Sequence, residues 1–542
     1  MAESTEDGRM FPVLTEDQIA ELAPLGKRRA VRPGELLYDA GETESSTFIV
    51  LEGSIEALDV TKDRERLLGV VGPGQFTGEV NQITGRRSLV RSRAREASVL
   101  LELDRAALQE VLQANAPLGE LFLRAFILRR VYLIEHSVGA TVLIGSGYSA
   151  DTLRLKLFLS RNGHPYIYVD VETDPDIQRV LDHFAVRLTD IPVLICRGDL
   201  VLRNPSNAEV ADCFGFNPAI DESGIYDLIV VGAGPSGLAA AVYGASEGLR
   251  VLVIESEAPG GQAGSSSRIE NYLGFPNEIA GQELAGRAFV QAQKFGAQVL
   301  VARSARALRG CRPPYTIELD SGESIRGRAV IIAAGARYRR LGLPELARFE
   351  GAGVYYGATR IEAQLCRDEE IAIVGGGNAA GQAAIYLSDF ARQVYLLVRG
   401  PGLSDTMSRY LAFRIEANRN IVLRPWSEVE ALEGESRLER VRWRDARTGA
   451  SEVHDVRHLF LMTGADPNTA WLGGALALDE KKFIRTGPGL GDAWPLERPP
   501  YLLETSLPGV FAVGDIRSGS VKRVASAVGE GSMAVQFIHS LL

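Results

Sequence analysis

The chain has 542 residues, with 59 Lys and Arg against 69 Asp and Glu and a net charge of −10. At about 100–200 residues per domain it holds several separate cores, and its acidity excludes a nucleic-acid binder that works through bulk positive charge. Hydrophobic residues at 46% and charged residues at 24% place it among folded globular chains rather than disordered ones. The cysteines are Cys196, Cys213, Cys311 and Cys366, none in a C-x-x-C, which excludes a close-spaced dithiol or zinc knuckle. The opening MAESTEDGRMF lacks the basic and apolar regions of a signal peptide. No apolar run approaches the ~18–20 residues of a membrane span. A reduced cytoplasmic setting, with no membrane and no metal, is the expectation.

From Phe11 to Leu103, short β-like runs (ELLYDAG, STFIVLEGSIEAL, RLLGVVGPGQF, ASVLLEL) are punctuated by glycine and read as a small all-β roll. Asp104 is placed to cap the helix RAALQEVLQ, and a longer helical pattern covers Leu118–Glu135. From Thr141 to Gly215 strands and helices alternate: strand VLIGS, helix ADTLRLKLFLSRNG, strand YIYVDVE, helix DPDIQRVLDHF, strand IPVLIC, helix NAEVADCFG. FNPAIDESG is rich in turn formers and reads as a linker. From Ile225 onward the chain is α/β and carries two glycine-rich strand–turn–helix units.

The first unit, YDLIVVGAGPSGLAAAVYGASEGLRVLVIE, holds Gly232-x-Gly234-x-x-Gly237 between a β-branched strand and an Ala-rich helix. Gly232 permits the tight turn, Gly234 lets the backbone approach a pyrophosphate, and Gly237 lets helix and strand pack closely. The helix start offers N–H groups and positive dipole to the phosphates, and Glu255 ends the next strand where it can accept from ribose hydroxyls. The second unit, EEIAIVGGGNAAGQAAIYLSDFARQVYLLVRG, repeats the plan with Gly375-x-Gly377-x-x-Ala380 but ends in Arg399. An acid there suits the free hydroxyl of NAD, and an arginine suits the 2′-phosphate of NADP.

On these residues the chain from Ile225 to Leu542 resembles the low-molecular-weight thioredoxin reductases. The resemblance implies an FAD site at Gly232, Gly234, Pro235, Ser236, Gly237, Glu255, Gly261, Gln262, Asn271, Gly335, Gly514, Asp515, Arg523, Val524 and Ala525. It implies an NADPH site at Gly375, Gly377, Asn378, Ala379, Arg399 and Gly464, with NADH possible. Two departures stand out. Gly357 and Arg360 occupy the family's two cysteine positions, and Val398-Arg399-Gly400 stands where the family has His-Arg-Arg.

The middle unit resembles glutaredoxins and thioredoxins. Ile191-Pro192-Val193 matches their cis-proline segment, and Ser146-Gly147-Tyr148-Ser149 has serine at both cysteine positions. The N-terminal unit resembles cyclic-nucleotide-binding domains through Arg32-Pro33-Gly34-Glu35, Ala40-Gly41-Glu42 and the stretch Gln75–Val80 followed by Gly85-Arg86-Arg87-Ser88. That resemblance implies a cyclic-nucleotide site at Gly78, Glu79, Arg87 and Ser88.

The expected architecture is multidomain. Residues 1–140 form a cyclic-nucleotide-binding-like β-roll with connecting helices, and 141–223 an α/β thioredoxin-like domain. Residues 224–340 with 468–542 form a Rossmann-like FAD-binding domain, and 341–467 an inserted NAD(P)H-binding domain. The expected activity is hydride transfer from NADPH to FAD and electron transfer to an unknown acceptor without a protein C-x-x-C, in a homodimer, with a cyclic nucleotide as a further ligand. No catalytic side chain is assigned, because that half-reaction demands none. The alternatives are a non-catalytic FAD- or nucleotide-dependent sensor, and an enzyme like the ferredoxin/flavodoxin–NADP reductases of this fold.

Overall fold

The computed structural model describes residues 8–43, 45–61, 64–136, 138, 141–173, 186–187, 190–196, 200–266, 268–404 and 406–542. Helix α1 (Glu16–Leu22) opens on a reciprocal cap between Thr15 and Gln18. Strands β1 (Lys27–Val31), β2 (Leu36–Tyr38), β3 (Thr47–Glu52), β4 (Ile55–Thr61), β5 (Arg64–Val71), β6 (Arg91–Ala94) and β7 (Ser98–Leu103) form two antiparallel sheets, ordered β1-β7-β3 and β2-β6-β4-β5. Helix α2 (Val80–Thr84) sits between β5 and β6. Asp104 caps α3 (Arg105–Ala114) by accepting from the Ala107 N–H, and α4 (Ala116–Glu135) follows. Phe76 of the roll meets Phe122 and Phe126 of α4 at 4.2 and 5.9 Å between centroids, which seats the helix on the sheets.

The sequence reading did not include β1 and β6, whose KRRAV and RSRA look like charged surface rather than strand. Pairing supplies what propensity does not. Arg91 bonds Asp39 and Glu65, and Arg93 bonds Glu56, so the arginines form a cross-strand charge ladder on the outer face.

The middle unit contains β8 (Val142–Gly145), α5 (Ala150–Arg161), β9 (Ile167–Asp170), β10 (Val193–Cys196), β11 (Leu200–Arg203) and α6 (Asn207–Phe214). The sheet order is β11-β10-β8-β9, with β8 and β9 parallel and the other pairs antiparallel. The Ile191–Pro192 peptide is cis. The helix expected over Asp174–Phe184 lies outside the described residues. The two serines act as local caps. Ser149 accepts from the Thr152 N–H at the start of α5, and Ser146 donates to Glu172.

The first nucleotide unit is a sheet ordered β14-β13-β12-β17-β16-β15, with one further strand on β17. Its strands are β12 (Ile225–Val231), β13 (Val251–Glu255), β14 (Gln298–Val301), β15 (Ala305–Arg309), β16 (Tyr315–Leu319) and β17 (Ser324–Ile332). Helices α7 (Pro235–Ser246) and α8 (Gly281–Lys294) cover it. The chain leaves through β18 (Ala336–Tyr338) into a parallel sheet of β19 (Val354–Tyr355), β20 (Glu370–Val374), β21 (Gln393–Leu397), β22 (Ile421–Arg424) and β23 (His458–Leu461), ordered β19-β23-β20-β21-β22. It returns through β24 (Ala465–Pro467), which pairs with β18, and β25 (Val510–Ala512) then joins β17. Central strands in the parallel part of each sheet are buried on both faces, which explains their near-continuous apolar runs.

Three units meet at one junction. The FNPAIDESG segment read as a linker is docked there. Phe216 is 5% exposed and packs on Phe158, His164 and Phe214, and Asn217 exchanges two hydrogen bonds with Val301. Arg86 of the roll lies 4.4 Å from the Phe216 ring and 5.1 Å from the Phe289 ring of α8, and donates to the Asn162 carbonyl.

Removing Phe216 leaves a cavity under Arg86. Phe216→Ala is expected to cost about 3–5 kcal/mol, read as a lower thermal midpoint and faster proteolysis within residues 216–224. An unchanged midpoint would show that the junction holds without the ring. Burial, with Arg130 and Arg86 nearby, holds the His164 pKa well below its usual 6.5. Below that pH the unfolded chain binds a proton that the folded one refuses, so this contribution is complete above pH 6.5 and is lost on acidification, at up to about 1.4 kcal/mol per pH unit. His164→Leu should therefore flatten the stability profile between neutral pH and mild acid. An identical slope would assign the acid sensitivity elsewhere.

Candidate functional site

A glycine-built concavity runs along the carboxyl ends of β12 and β13. It has a volume of about 740 Å³, within the range of small-molecule sites. Gly232 has φ +105, and a Cβ there would collide with the Ala333 carbonyl, so the turn out of β12 needs glycine. Gly234 caps α7 with no side-chain bond, and a Cβ on it would meet only Gly261 Cα, at 3.9 Å. The first turn of α7 therefore points open N–H groups and its dipole into free space, as an anionic diphosphate requires. Gly237 serves packing instead: a Cβ there would strike the Gly232 carbonyl.

Glu255 ends β13 and accepts from the Ala233 N–H at 2.7 Å and the Glu257 N–H at 2.9 Å. Burial raises its pKa against those two bonds. Asp515, at the far wall, is likewise pushed up by burial, with Lys522 opposing. Gly514 donates its N–H to Glu530, which also pairs with Arg517.

Of the residues expected at an FAD site, Gly232, Gly234, Pro235, Ser236, Glu255, Gly261, Gln262, Gly335, Asp515, Arg523 and Val524 line the groove. Gly237 and Gly514 are buried and do not line it, and Ala525 and Asn271 are exposed and also outside the lining. Arg161 was not legible from sequence. It reaches the groove from the end of α5, donates to the Gly261 carbonyl at 3.1 Å and pairs with Glu257 at 3.0 Å. An arginine ending a helix of a different unit carries no motif; only the packing reveals it.

The second fingerprint has the same build. Gly375 has φ +147 and a Cβ would hit the Met462 carbonyl. Gly377 caps helix α9 (Asn378–Leu387) with nothing within 4 Å of a Cβ. Asn378 accepts from the Ser408 N–H, Ala379 is exposed in the first turn, and Arg399 is exposed beyond β21. Gly464 follows β23 at φ +79. This turn lines no part of the groove. Gly357 does approach it: a Cβ on Gly357 would lie 3.7 Å from Ser265 Cβ, and Ala358 bridges to Ser266. Arg360 is exposed on the next helix. No cysteine lines the groove. Cys196 and Cys366 are buried, Cys213 half-buried and Cys311 exposed, and burial raises the Cys366 pKa.

In the roll, Gly78 precedes Glu79 at φ +112, and the buried Glu79 carboxylate lies 3.6 Å from Arg130. Burial raises its pKa. Arg87 donates to the Gly41 carbonyl, and Ser88 is buried and donates to the Val90 carbonyl.

A profile described as pyridine nucleotide-disulphide oxidoreductase matches residues 226–531. The chain belongs to that family. A second profile, the cyclic nucleotide-binding domain, matches residues 28–115. The chain is 31% identical to a thioredoxin reductase of Bacillus subtilis over 321 residues, 59% of this chain and 96% of the relative. It is 34% identical to a thioredoxin reductase of Escherichia coli O157:H7 over 312 residues, 57% of this chain and 93% of the relative. The solved thioredoxin reductase of T. acidophilum superposes with TM-score 0.52 at 28% identity, over 58% of this chain and 98% of that one. That of Lactococcus lactis, in its FR conformation, gives 0.53 at 26%, over 58% of this chain and 98% of that one. The family uses FAD and NADPH, and this member is an FAD-dependent NAD(P)H oxidoreductase. No described helix is long and apolar enough to cross a membrane.

The open space at Gly234 separates folding from binding. Gly234→Ala makes only ordinary contacts within the protein, so the apoprotein should keep its thermal midpoint while FAD affinity falls by about tenfold or more. Equal flavin retention by variant and wild type would show that the diphosphate lies elsewhere.

Proposed function

We propose that the chain passes a hydride from NADPH to FAD and delivers the electrons to an acceptor outside the chain, with no protein dithiol as relay. The observation that carries this is the pairing of two complete dinucleotide turns with Gly357, beside the groove residue Ser265, where a thiol would be needed. When bound, FAD supplies the hydride- and electron-accepting chemistry. The α7 start and Gly234 hold the diphosphate, Glu255 a ribose, and Asp515, Arg523 and Val524 the far end. Gly377 and the α9 start hold the NADPH diphosphate, and Arg399 pairs with the 2′-phosphate. Because the Gly375–Ala380 turn stands apart from the groove, delivery of a nicotinamide requires the 341–467 unit to turn about the paired β18 and β24.

We assign residues 1–140 to a ligand-responsive roll, 141–223 to a thioredoxin-like unit without redox activity, and the two remaining regions, 224–340 with 468–542 and 341–467, to FAD and NADPH. The strand order β11-β10-β8-β9 and the Pro192 position support the middle assignment. Regulation by a cyclic nucleotide in the roll has one specific support. Cassette helix α2 packs on α8, and the start of α8 bonds Ser266 beside the groove. A homodimer in a reduced cytoplasmic setting completes the reading.

Anaerobic stopped-flow mixing with NADPH should bleach the flavin, in wild type and in a variant lacking all four cysteines. Loss of bleaching, or of turnover, in that variant would restore a dithiol route. Arg399 is the lone arginine of a position where the resembled family has two, and a charge-assisted contact is worth about 1.5–3 kcal/mol before solvent screening. NADPH is thus expected to be preferred to NADH by about tenfold to a hundredfold. Arg399→Ala should abolish most of that through the NADPH KM alone. An intact preference would make Arg399 an ordinary surface charge.

A further inference from the structure

Beside the flavin groove lies a second chamber of about 440 Å³. Both cavities share Arg161, Glu257, Ser265, Glu350 and Tyr356 as lining, so the chamber opens directly from the groove. Its floor is the Gly351–Glu362 stretch, which includes the vacant thiol position Gly357, and its roof is α5 of the middle unit. The roof is firmly seated. Ala150 packs against Gly351, Leu153 joins the cluster of Tyr355, Ala358 and Cys366, and Tyr148 lies 4.4 Å under Arg437. Helix α5 lines the same chamber as Gly357 and narrows the approach of a protein disulfide to it.

We propose that this chamber is the acceptor site and that it takes a small planar quinone. The inference rests on the reading above that electrons leave the flavin without a dithiol. The size suits a small molecule rather than a protein loop. Disulfide exchange needs a thiolate, and no cysteine lines the chamber, so the occupant must accept electrons directly through a conjugated body. The walls fit such a body. Leu157, Phe158, Tyr355 and Tyr356 supply apolar and aromatic faces. Arg161 is the polar group left for a carbonyl: it lines the chamber and its Nε has no hydrogen-bond partner, whereas the Tyr356 hydroxyl already donates to Glu350 at 2.6 Å.

The reaction balances as NADPH plus a proton plus quinone giving NADP⁺ plus hydroquinone. The C–H bond of the nicotinamide breaks, its electron pair reaches the quinone through the flavin, and two O–H bonds form. One of the two protons comes from NADPH and the other from water.

The test uses FAD-loaded full-length protein and menadione as probe. Menadione should bind the oxidised protein and perturb its flavin spectrum with no NADPH present, and should reoxidise bleached flavin rapidly. Leu157→Trp fills the chamber and should raise the menadione dissociation constant and KM by about tenfold or more, while NADPH bleaches the flavin at the wild-type rate. Binding and reoxidation unchanged in that variant overturn the proposal. Should the variant lose its flavin, photolabelling of wild type with an azido-naphthoquinone decides the matter: labels on residues 150–161 or 350–362 support the chamber, and labels elsewhere overturn it. Absence of NADPH bleaching in wild type would instead sink the underlying function, a result distinct from either.

Discussion

A guanidinium buried among rings holds the assembly together. Arg86 is 6% exposed, and burial drags its pKa down to about 9. A cation so desolvated is tolerable only where carbonyl oxygen and aromatic faces replace water. Asn162 of the middle unit supplies the carbonyl, Phe216 one face and Phe289 of the FAD-side helix the other. The roll, the middle unit and the first nucleotide unit must therefore be in place together for Arg86 to make all three contacts. The same demand keeps His164 neutral, since another positive charge beside Arg86 and Arg130 would have nothing to pair with.

What the sequence disclosed follows from how local each signal is. The Gly232–Gly237 and Gly375–Ala380 turns were legible because a close approach of backbone to backbone leaves no alternative residue. Asp104 and the helix it caps were legible for a similar reason, a bond across three positions. Strands β1 and β6 were hidden because arginine has no strand signature until a partner strand presents acids to it. Arg161 and the docking of Phe216 were hidden because both depend on residues of distant units. Asn271, a motif position, is exposed and lies outside the groove lining.

The two serines and Gly357 are accommodated differently. Ser149 and Ser146 spend their hydroxyls on the start of α5 and on Glu172. Gly357 leaves open volume beside Ser265. Helix α5 is thus anchored at its own N-terminus by Ser149 and lines the chamber together with Gly357. The middle unit and the inserted unit pack together through Leu153, and the cavity lies between them.

That arrangement sets the cost of motion. On the proposed reaction the groove and the Gly375–Ala380 turn approach each other, and α5 holds elements on both sides. Its C-terminal Arg161 bonds Gly261 and Glu257, and its N-terminal half packs on residues 351–366. Exposed ion pairs such as Arg414–Glu270 across the same divide are worth only about 0–1 kcal/mol. Burying a leucine side chain is worth about 1.5–3 kcal/mol, so Leu153, 7% exposed in the core of the inserted unit, outweighs them. A turn of the inserted unit about β18 and β24 therefore has to withdraw Leu153 or carry α5 with it. In the second case the pull passes through Arg161 to the flavin groove and through Phe158 to Phe216 and Arg86. The inserted unit, the chamber beside the groove and the N-terminal roll are then three ends of one helix's contacts.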